Sequence, residues 1–167
     1  MNRTVSVILW VAVCLIMGYL SSLMQGNSIE EWYPLLAHSP LSPPGWLFPV
    51  AWTLLYTLMG ISVGLLAGIR SLYAMVLYVL FVIQFILNIM WTFFFFYLRS
   101  PLLGFMDIIL LDMFALLYTV GAFVVYKPSA WLFIPYIAWL IFATYLNGYI
   151  MLYNLYIQKA REISRAI

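Results

Sequence analysis

Residues 72–98 read LYAMVLYVLFVIQFILNIMWTFFFFYL and contain no charged side chain. A helix needs about 20 apolar residues to cross the hydrocarbon core of a bilayer. This stretch is long enough to do so, and its two amide side chains, Gln84 and Asn88, lie well inside it. It therefore predicts a transmembrane helix that carries polar groups at depth.

Four further apolar runs of similar length occupy residues 5–24, 45–69, 101–126 and 129–158. Three of the five runs start at or just after a proline: Pro44, Pro101 and Pro128. Proline suits the first turn of a helix, where its missing N–H would have no partner in any case. The five runs predict an all-α integral membrane protein.

The overall composition supports a lipid environment. Hydrophobic residues make up 67% of the chain and charged residues only 7%, whereas a soluble domain carries roughly 25% charged residues. A soluble chain of 167 residues has too small an interior to bury so much apolar surface. The composition therefore excludes an ordinary soluble domain.

The connections between the runs predict how the helices pack. Three of them are very short, which forces neighbouring helices to be antiparallel. We therefore expect a compact bundle of five transmembrane helices that forms a single domain over residues 1–167. The exception is the long loop between helices 1 and 2, residues 25–44, which contains Trp32, Tyr33, His38 and four prolines. Loops of this length often act as lids over binding sites, and we predict that role here.

The few basic residues fall between the apolar runs or near the ends of the chain. Arg3, Arg70 and Lys127 belong to one side of the membrane. The other side has the long loop, Arg99 and a tail that carries Lys159, Arg161 and Arg165. Three basic residues on one side against four on the other do not set the orientation of the protein in the membrane. The net charge of +2 is too small to indicate nucleic acid as a partner.

Polar and aromatic residues recur at helical spacing on three of the predicted helices, which places each group on one helix face. The groups are Trp52 and Tyr56; Gln84, Asn88, Trp91 and Phe95; and Trp139, Ala143 and Asn147. At about 1.5 Å per residue, Trp52 lies about 12 Å and Asn88 about 16 Å below the loop side. The groups therefore predict one aromatic cavity beneath the loop, with the composition of a small-molecule pocket.

Structural alternatives remain open for several of these residues. Asn and Gln in membrane helices often only bond a neighbouring helix, and that reading is favoured for Gln84 and Asn88. Tryptophans often mark the membrane interface, but Trp52, Trp91 and Trp139 lie too deep to fit such a belt.

Two acidic residues, Asp107 and Asp112, lie within a membrane run. An acidic side chain inside a membrane span suggests a functional role by default. Because five residues separate the two acids, their side chains point about 140° apart around the helix, and they do not form a catalytic pair. A structural hydrogen bond is favoured for both.

The second run also contains Gly60, Gly64 and Gly68. Small residues at this spacing let another helix approach closely. Packing inside the bundle is favoured, and dimerisation is the alternative.

The sequence offers no conventional catalytic or metal-binding set. Cys14 is the single cysteine and His38 the single histidine, which argues against a zinc or iron–sulfur site. A Ser/His/Asp triad is not available either, because His38 falls in the loop. No metal is therefore expected.

Several motifs resemble those of the translocator protein family, whose members are also called tryptophan-rich sensory proteins or peripheral benzodiazepine receptors. Residues 42–46 (SPPGW) and 52–60 (WTLLYTLMG) resemble the signature of its second helix. Further matches follow in the same order along the chain: the Trp32-Tyr33 pair, the pattern on the third helix, Asp107, residues 135–139 (PYIAW) and Leu146-Asn147. The resemblance covers almost the whole chain.

The resemblance implies a five-helix bundle that binds porphyrins, such as protoporphyrin IX, and ligands of the benzodiazepine and isoquinoline types. It implies a pocket under the first loop to which Trp52, Asn88, Trp139 and Ala143 belong. Together with the spacing argument, it predicts these ligand-binding residues: Trp32, Tyr33, Trp52, Tyr56, Gln84, Asn88, Trp91, Phe95, Trp139, Ala143 and Asn147.

Bacterial members of that family are linked to light-dependent porphyrin breakdown, in which Trp52 and Trp139 would be the oxidised residues here. No cofactor is required for this chemistry, because the porphyrin is itself ligand or substrate. Three functions stay open: a receptor or sensor, an enzyme-like oxidative degradation of porphyrin, and a tetrapyrrole transporter. The sequence does not decide among them.

One departure from the family pattern concerns cholesterol. Animal members carry Tyr and Arg after the Leu-Asn pair, where this chain has Gly148 and Leu152. The looser pattern of Leu152, Tyr156 and Lys159 is weak, so cholesterol is a doubtful partner. The short N-terminus resembles that of bacterial members, which implies a location in a bacterial cell membrane. The family resemblance also implies that the protein forms a homodimer.

Overall fold

The computed structural model describes the backbone of residues 2–166 and the side chains of residues 2–156. Within that part of the chain the ordered elements are helical, and no residue lies in a β-strand. The helices are α1 (Arg3–Leu23), α2 (Ser28–Glu31), α3 (Leu47–Gly64), α4 (Leu72–Thr92), α5 (Pro101–Val125) and α6 (Lys127–Ala166). All but α2 belong to the 5 helical segments that are long and apolar enough to cross a membrane. The predicted all-α membrane bundle is confirmed.

Side-chain caps explain where three of the long helices begin. Asn2 accepts a hydrogen bond from the Thr4 N–H at the start of α1. Ser71 caps α4 in the same way, and Ser100 caps α5 just before Pro101. Each cap satisfies an N–H group that has no partner inside its own helix.

The second predicted helix is shorter than residues 45–69. It begins at Leu47 because Gly45 and Trp46 form a turn in which the Leu47 N–H bonds to the Pro44 carbonyl at 2.9 Å. It ends at Gly64, and a series of turns follows as far as Gly68, whose φ of +87° is not helical.

Other boundaries also differ from the predicted ones, most of them by one or two residues. Residues 72–98 are not one regular α-helix, because α4 continues as a π-helical turn, Phe93–Tyr97. The last helix begins at Lys127 instead of residue 129. The side chains of Gln158, Lys159, Arg161 and Arg165 lie outside the described residues, and with them the predicted basic tail.

The glycines of α3 pack inside the bundle. A Cβ atom at Gly60 would lie 2.5 Å from the Cα of Val11, and one at Gly64 would lie 2.5 Å from the Cα of Val7. Both positions therefore let the backbones of α1 and α3 touch. Gly68 takes no part in this contact, since nothing lies within 4 Å of its Cβ position.

Hydroxyl groups hold three helices together at the end of the bundle that is remote from the long loop. The Ser62 hydroxyl on α3 lies 2.9 Å from both the Tyr118 hydroxyl on α5 and the Ser129 hydroxyl on α6. Ser129 also donates to the Ser62 carbonyl at 2.8 Å. This half of the bundle is closely packed, and the cavity lies in the other half.

Candidate functional site

A cavity of ≈ 390 Å³ lies in the half of the bundle nearest the loop, within the size range of small-molecule pockets. Residues of α1, α3, α4, α6 and the loop line it. They are Gly18, Ser21, Ser22, Gln25, Ile29, Tyr33, Gly45, Phe48, Pro49, Trp52, Tyr56, Asn88, Trp91, Thr92, Phe95, Phe96, Trp139, Ala143, Leu146, Asn147 and Ile150.

Two tryptophans form one corner of the cavity wall. The rings of Trp52 on α3 and Trp139 on α6 meet edge to face, with centroids 6.3 Å apart and an angle of 78° between planes. Tyr56 stacks on Trp52 at 5.4 Å, and Phe48 meets the Trp139 ring at 6.0 Å. Aromatic pairs favour these offset and perpendicular geometries, so the wall is held in place by its own rings.

Asn88 links three helices at the floor of the cavity. The Tyr56 hydroxyl donates to its Oδ1 at 2.7 Å, and its Nδ2 donates to the Tyr136 hydroxyl at 3.0 Å. Asn88 is buried and also lines the cavity. It is therefore an interhelical hydrogen-bonding residue and part of the cavity wall at once.

Asn147 plays a similar part beside Trp91. The Trp91 indole donates to the Asn147 Oδ1 at 2.9 Å, and the Asn147 Nδ2 donates to the Pro101 carbonyl at 2.8 Å. Gly104 makes room for this side chain, because a Cβ there would lie 3.0 Å from the same Oδ1. The orientation of the Trp91 ring is thus fixed from α6.

The two intramembrane acids lie behind the cavity wall. Asp112 accepts a hydrogen bond at 2.8 Å from Thr144, the residue that follows the lining residue Ala143. Asp107 is buried on α5, with 5% of its surface exposed, and its Oδ2 has no hydrogen-bond partner among the described residues, so the structural hydrogen bond favoured for Asp107 is not found. Asp112 therefore joins α5 to α6, as the favoured structural role predicted.

Two of the predicted ligand-binding residues are not in the cavity wall. Gln84 is completely buried one turn beyond Asn88, and the hydrogen bonds among Tyr56, Asn88 and Tyr136 lie between it and the cavity. Its Oε1 and Nε2 have no hydrogen-bond partner among the described residues, so the bond to a neighbouring helix that was favoured for Gln84 is not found. Trp32 packs edge to face on Phe95 at 5.6 Å, behind the ring that faces the cavity. The other nine predicted residues line the cavity.

The loop is attached to the end of α4 through α2. Ser28 donates to the Phe96 carbonyl at 2.9 Å, and the Nε of Arg99 donates to the Ser28 hydroxyl at 3.2 Å. The carbonyls of a last helical turn lack hydrogen-bond donors within their own helix, and the Ser28 hydroxyl supplies a donor for the Phe96 carbonyl. Arg99 adopts a φ of +50° and also lies 3.6 Å from Glu31. We call Ser28, Glu31, Phe96 and Arg99 the α4 latch.

A second attachment joins the loop to α6. The Ala37 N–H donates to the Asn154 side chain at 3.1 Å, and the hydroxyls of Ser39 and Tyr145 lie 2.9 Å apart. Tyr33 lies between the two attachments, where it lines the cavity and packs on Phe96 at 5.7 Å. The loop therefore crosses the cavity mouth as a strap held at both sides.

Tyr33 is itself held by the loop. The Nε2–H of His38 donates to the Tyr33 carbonyl at 2.9 Å, and the two rings meet with centroids 4.5 Å apart. Burial raises the pKa of the Tyr33 hydroxyl. The hydroxyl therefore stays protonated and available as a donor near neutral pH.

Sequence reasoning missed the contribution of α1 to the cavity. Gly18, Ser21, Ser22 and Gln25 line it from that helix and the residues that follow it. They follow i, i+3, i+4, i+7 spacing, which places small and polar side chains on one face of an apolar helix. That pattern was visible in the sequence.

Comparisons with known proteins agree with this geometry. The TspO/MBR family matches residues 10–153. A "Tryptophan-rich protein TspO" of Chlorobaculum tepidum is 36% identical over 157 residues, which cover 92% of this chain and 99% of that protein. A "Tryptophan-rich sensory protein" of Cereibacter sphaeroides is 33% identical over 122 residues, 71% of this chain and 73% of that one. A "Translocator protein" of Ovis aries is 35% identical over 120 residues, 70% and 71% of the two chains.

Proposed function

Since this chain belongs to the TspO/MBR family, we propose that it is a membrane receptor that binds flat aromatic molecules, above all porphyrins, in the cavity beneath its loop. The observation that carries the proposal is the wall of indole and phenyl rings that lines the cavity beneath the strap. Large rings bury much apolar area, and stacking on aromatic faces adds to that gain.

The shape of the wall suits a flat ligand. Trp52 and Trp139 meet at 78°, so a planar ring can stack on one indole while its edge meets the other. Trp91 and Phe95 are stacked on each other at 5.1 Å and also line the cavity. Ligands of the benzodiazepine and isoquinoline types have smaller flat rings and fit the same proposal.

A direct test is a titration of the purified, detergent-solubilised chain with protoporphyrin IX, followed through the porphyrin absorption band. Saturable binding that shifts the band supports the proposal. Binding that neither saturates nor responds to substitution in the cavity wall would show only uptake of the porphyrin into detergent.

The position of two oxidisable indoles in the cavity favours a second candidate function, the light-dependent breakdown of the bound porphyrin. An excited porphyrin can take one electron from Trp52 or Trp139, and molecular oxygen can then take that electron from the reduced porphyrin. The products are superoxide and an oxidised indole next to the ring, which allows further oxidation of either. Parallel titrations and bleaching measurements separate this activity from simple binding.

We further propose that the protein lies in a bacterial cell membrane. The similarity to proteins of Chlorobaculum tepidum and Cereibacter sphaeroides supports this location. Detection of the chain in the membrane fraction of a bacterial host, resistant to extraction by alkaline carbonate, is the matching test.

A further inference from the structure

Aromatic side chains continue outward from the cavity along one face of α6. Phe142, Tyr145, Tyr149, Tyr153 and Tyr156 follow one another at spacings of three or four residues. At 3.6 residues per turn, their side chains fall within about 80° of one another around the helix. They therefore form a continuous aromatic stripe, most of which consists of phenols.

The inner end of the stripe touches the cavity wall. The Trp139 indole meets the Phe142 ring edge to face, with centroids 6.0 Å apart and an angle of 67° between planes. Tyr145 is the next aromatic residue, about 9 Å along the helix axis from Trp139. Phe142 lies at the intermediate level, so the indole and the first phenol are joined through one intervening ring.

Further out, the tyrosine rings contact one another. The rings of Tyr145 and Tyr149 have centroids 6.5 Å apart, with an angle of 54° between planes. Tyr149 and Tyr153 are stacked, with centroids 4.1 Å apart and an angle of 14°. Aromatic rings in such contact exchange single electrons readily. We call Tyr145, Tyr149 and Tyr153 the tyrosine ladder.

The tyrosine ladder leads out of the bundle on the loop side. Asn147 bonds to the carbonyl of Pro101, the first residue of α5, so α6 extends past the start of α5, and Tyr153 lies about 9 Å beyond Asn147. Tyr145 and Tyr153 are 44% and 50% exposed, and the Tyr145 hydroxyl lies 2.9 Å from the Ser39 hydroxyl of the loop. Tyrosines at a membrane surface keep the ring in lipid and the hydroxyl in water. The ladder therefore ends where water and solutes reach it.

Access to water decides which tyrosine can reduce an oxidised indole. A phenol that loses an electron also loses its proton, because the radical cation is a very strong acid, and it therefore needs a proton acceptor. Tyr56 stacks on Trp52, but it is buried and its hydroxyl donates to the amide oxygen of Asn88, which is a very weak base. The phenols of the tyrosine ladder have water as the acceptor. The electron that restores Trp139 is therefore supplied by the ladder.

We propose that the tyrosine ladder carries oxidising equivalents from the cavity to the water on the loop side, which gives the protein a further activity: the light-driven oxidation of a soluble one-electron reductant of the ascorbate class. This inference rests on the proposed light-dependent chemistry of the bound porphyrin. It adds a route by which the oxidised indole is restored before it or the porphyrin is damaged.

The electrons and protons balance at each step. The excited porphyrin takes one electron from Trp139, and molecular oxygen takes that electron from the reduced porphyrin to form superoxide. The indole radical cation takes one electron from Tyr145, whose phenol proton passes to water. The radical then moves to Tyr149 and Tyr153, as each phenol loses an electron and a proton and the radical before it gains one of each. The ascorbate anion gives a hydrogen atom to the Tyr153 radical. The net reaction converts ascorbate and oxygen into ascorbyl radical, superoxide and one proton.

Two variants interrupt the ladder and keep every aromatic ring. The ladder variant combines Tyr145→Phe, Tyr149→Phe and Tyr153→Phe. The single change Tyr149→Phe removes only the middle phenol and leaves the contact between Tyr145 and Ser39 in place. The matched control makes the same three changes at exposed tyrosines outside the stripe: Tyr19, Tyr73 and Tyr97. Protoporphyrin IX affinity is measured in darkness for all four proteins, and bleaching and damage are compared at equal occupancy.

The test illuminates the purified proteins with bound protoporphyrin IX in air, with and without ascorbate in the buffer. Oxidation of Trp139 is followed by mass spectrometry of its peptide. We expect ascorbate to slow this oxidation several-fold more in the wild type and the control than in the ladder variant and in Tyr149→Phe. Ascorbate that scavenges oxygen species in solution protects all four proteins equally, so the difference between them reports the ladder.

A second readout identifies the radical itself. Samples frozen under illumination without ascorbate are examined by electron paramagnetic resonance. We expect a tyrosyl radical in the wild type and a tryptophanyl radical in the ladder variant. If ascorbate protects Trp139 equally in the wild type and the ladder variant, or if the wild type forms no tyrosyl radical while Trp139 is oxidised, the ladder carries no electrons and the inference is wrong. If light oxidises Trp139 in none of the proteins although the porphyrin is bound, the proposed photochemistry itself fails, and the inference fails with it.

Discussion

Trp52 on α3 and Trp139 on α6 meet edge to face inside the cavity, 6.3 Å apart and at 78°. Each ring is also held by a further aromatic contact, Trp52 by Tyr56 and Trp139 by Phe48. The two indoles therefore form a rigid corner that exists before any ligand arrives. A prearranged site of this kind binds without the entropy cost of ordering its side chains.

This corner predicts how light-dependent breakdown should respond to substitution. Trp52→Phe and Trp139→Phe each keep an aromatic face but remove the readily oxidised indole. We expect each change to slow photobleaching of bound protoporphyrin IX more than it weakens binding. The measurement compares bleaching rate with affinity for the wild type and both variants, in light and in darkness. Equal bleaching in darkness, or wild-type rates in both variants, would contradict the tryptophan chemistry.

The α4 latch predicts control of the loop by Arg99. Its φ of +50° suits glycine, so Arg99→Gly removes the guanidinium without backbone strain. We expect chymotrypsin to cut the loop after Trp32 and after nearby leucines several-fold faster in this variant. The matched control is Arg70→Gly, which removes a cation outside the latch. A loop that is cut at the wild-type rate in Arg99→Gly does not depend on the latch.

The same digestion tests whether the loop is a lid. Saturating ligand should protect residues 25–44 in the wild type, because a filled cavity adds contacts to Tyr33 and Ile29, which line it. If cleavage is the same with and without ligand, the loop is a passive connection.

The contact between α1 and α3 predicts a specific loss of stability. Gly60→Ala adds a Cβ 2.5 Å from the Val11 Cα, and overpacking of this kind typically costs about 1–3 kcal/mol. Gly45→Ala is the control, since its Cβ position has nothing within 4 Å. Thermal unfolding in detergent should show a lower midpoint for Gly60→Ala alone. Equal midpoints would mean that the helices can separate slightly at no cost.

Asn88 predicts a coupled effect on stability. Asn88→Leu leaves the hydroxyls of Tyr56 and Tyr136 without their partner, and a buried unpaired group costs about 1–3 kcal/mol. Adding Tyr56→Phe to Asn88→Leu should recover part of that loss, since it removes one stranded hydroxyl. A double-mutant cycle measures the coupling. Strictly additive effects would show that the 2.7 Å hydrogen bond contributes nothing.

Much of the architecture follows directly from the sequence. The five spans could be predicted because each is a long apolar run with basic residues only near its ends. Trp52, Asn88 and Trp139 could be placed at similar depth by counting residues. Which side chains of different helices lie close together was harder to predict. Gln84 shares a helix face with Asn88, yet it lies beyond the floor that the Asn88 hydrogen bonds form, and helical spacing alone carries no information on such a floor.

The strap over the cavity depends on contacts that the sequence does not show. Arg99 and Ser28 are 71 positions apart, and the π-helical turn before Arg99 has no clear sequence signal. The role of α1 was missed for a different reason. Its glycine and serines were read as part of an apolar run, although their spacing marks a face.

The central claim is that the cavity beneath the loop is the porphyrin site, and Ala143 tests it most directly. Ala143→Leu fills the cavity next to Trp139, whereas Ala138→Leu makes the same change at an exposed position of α6. The measurement is the dissociation constant of protoporphyrin IX for the wild type and both variants in the same detergent. We predict a loss of about tenfold to 100-fold for Ala143→Leu and wild-type affinity for Ala138→Leu. Equal affinities in all three proteins would contradict the claim and place the porphyrin elsewhere.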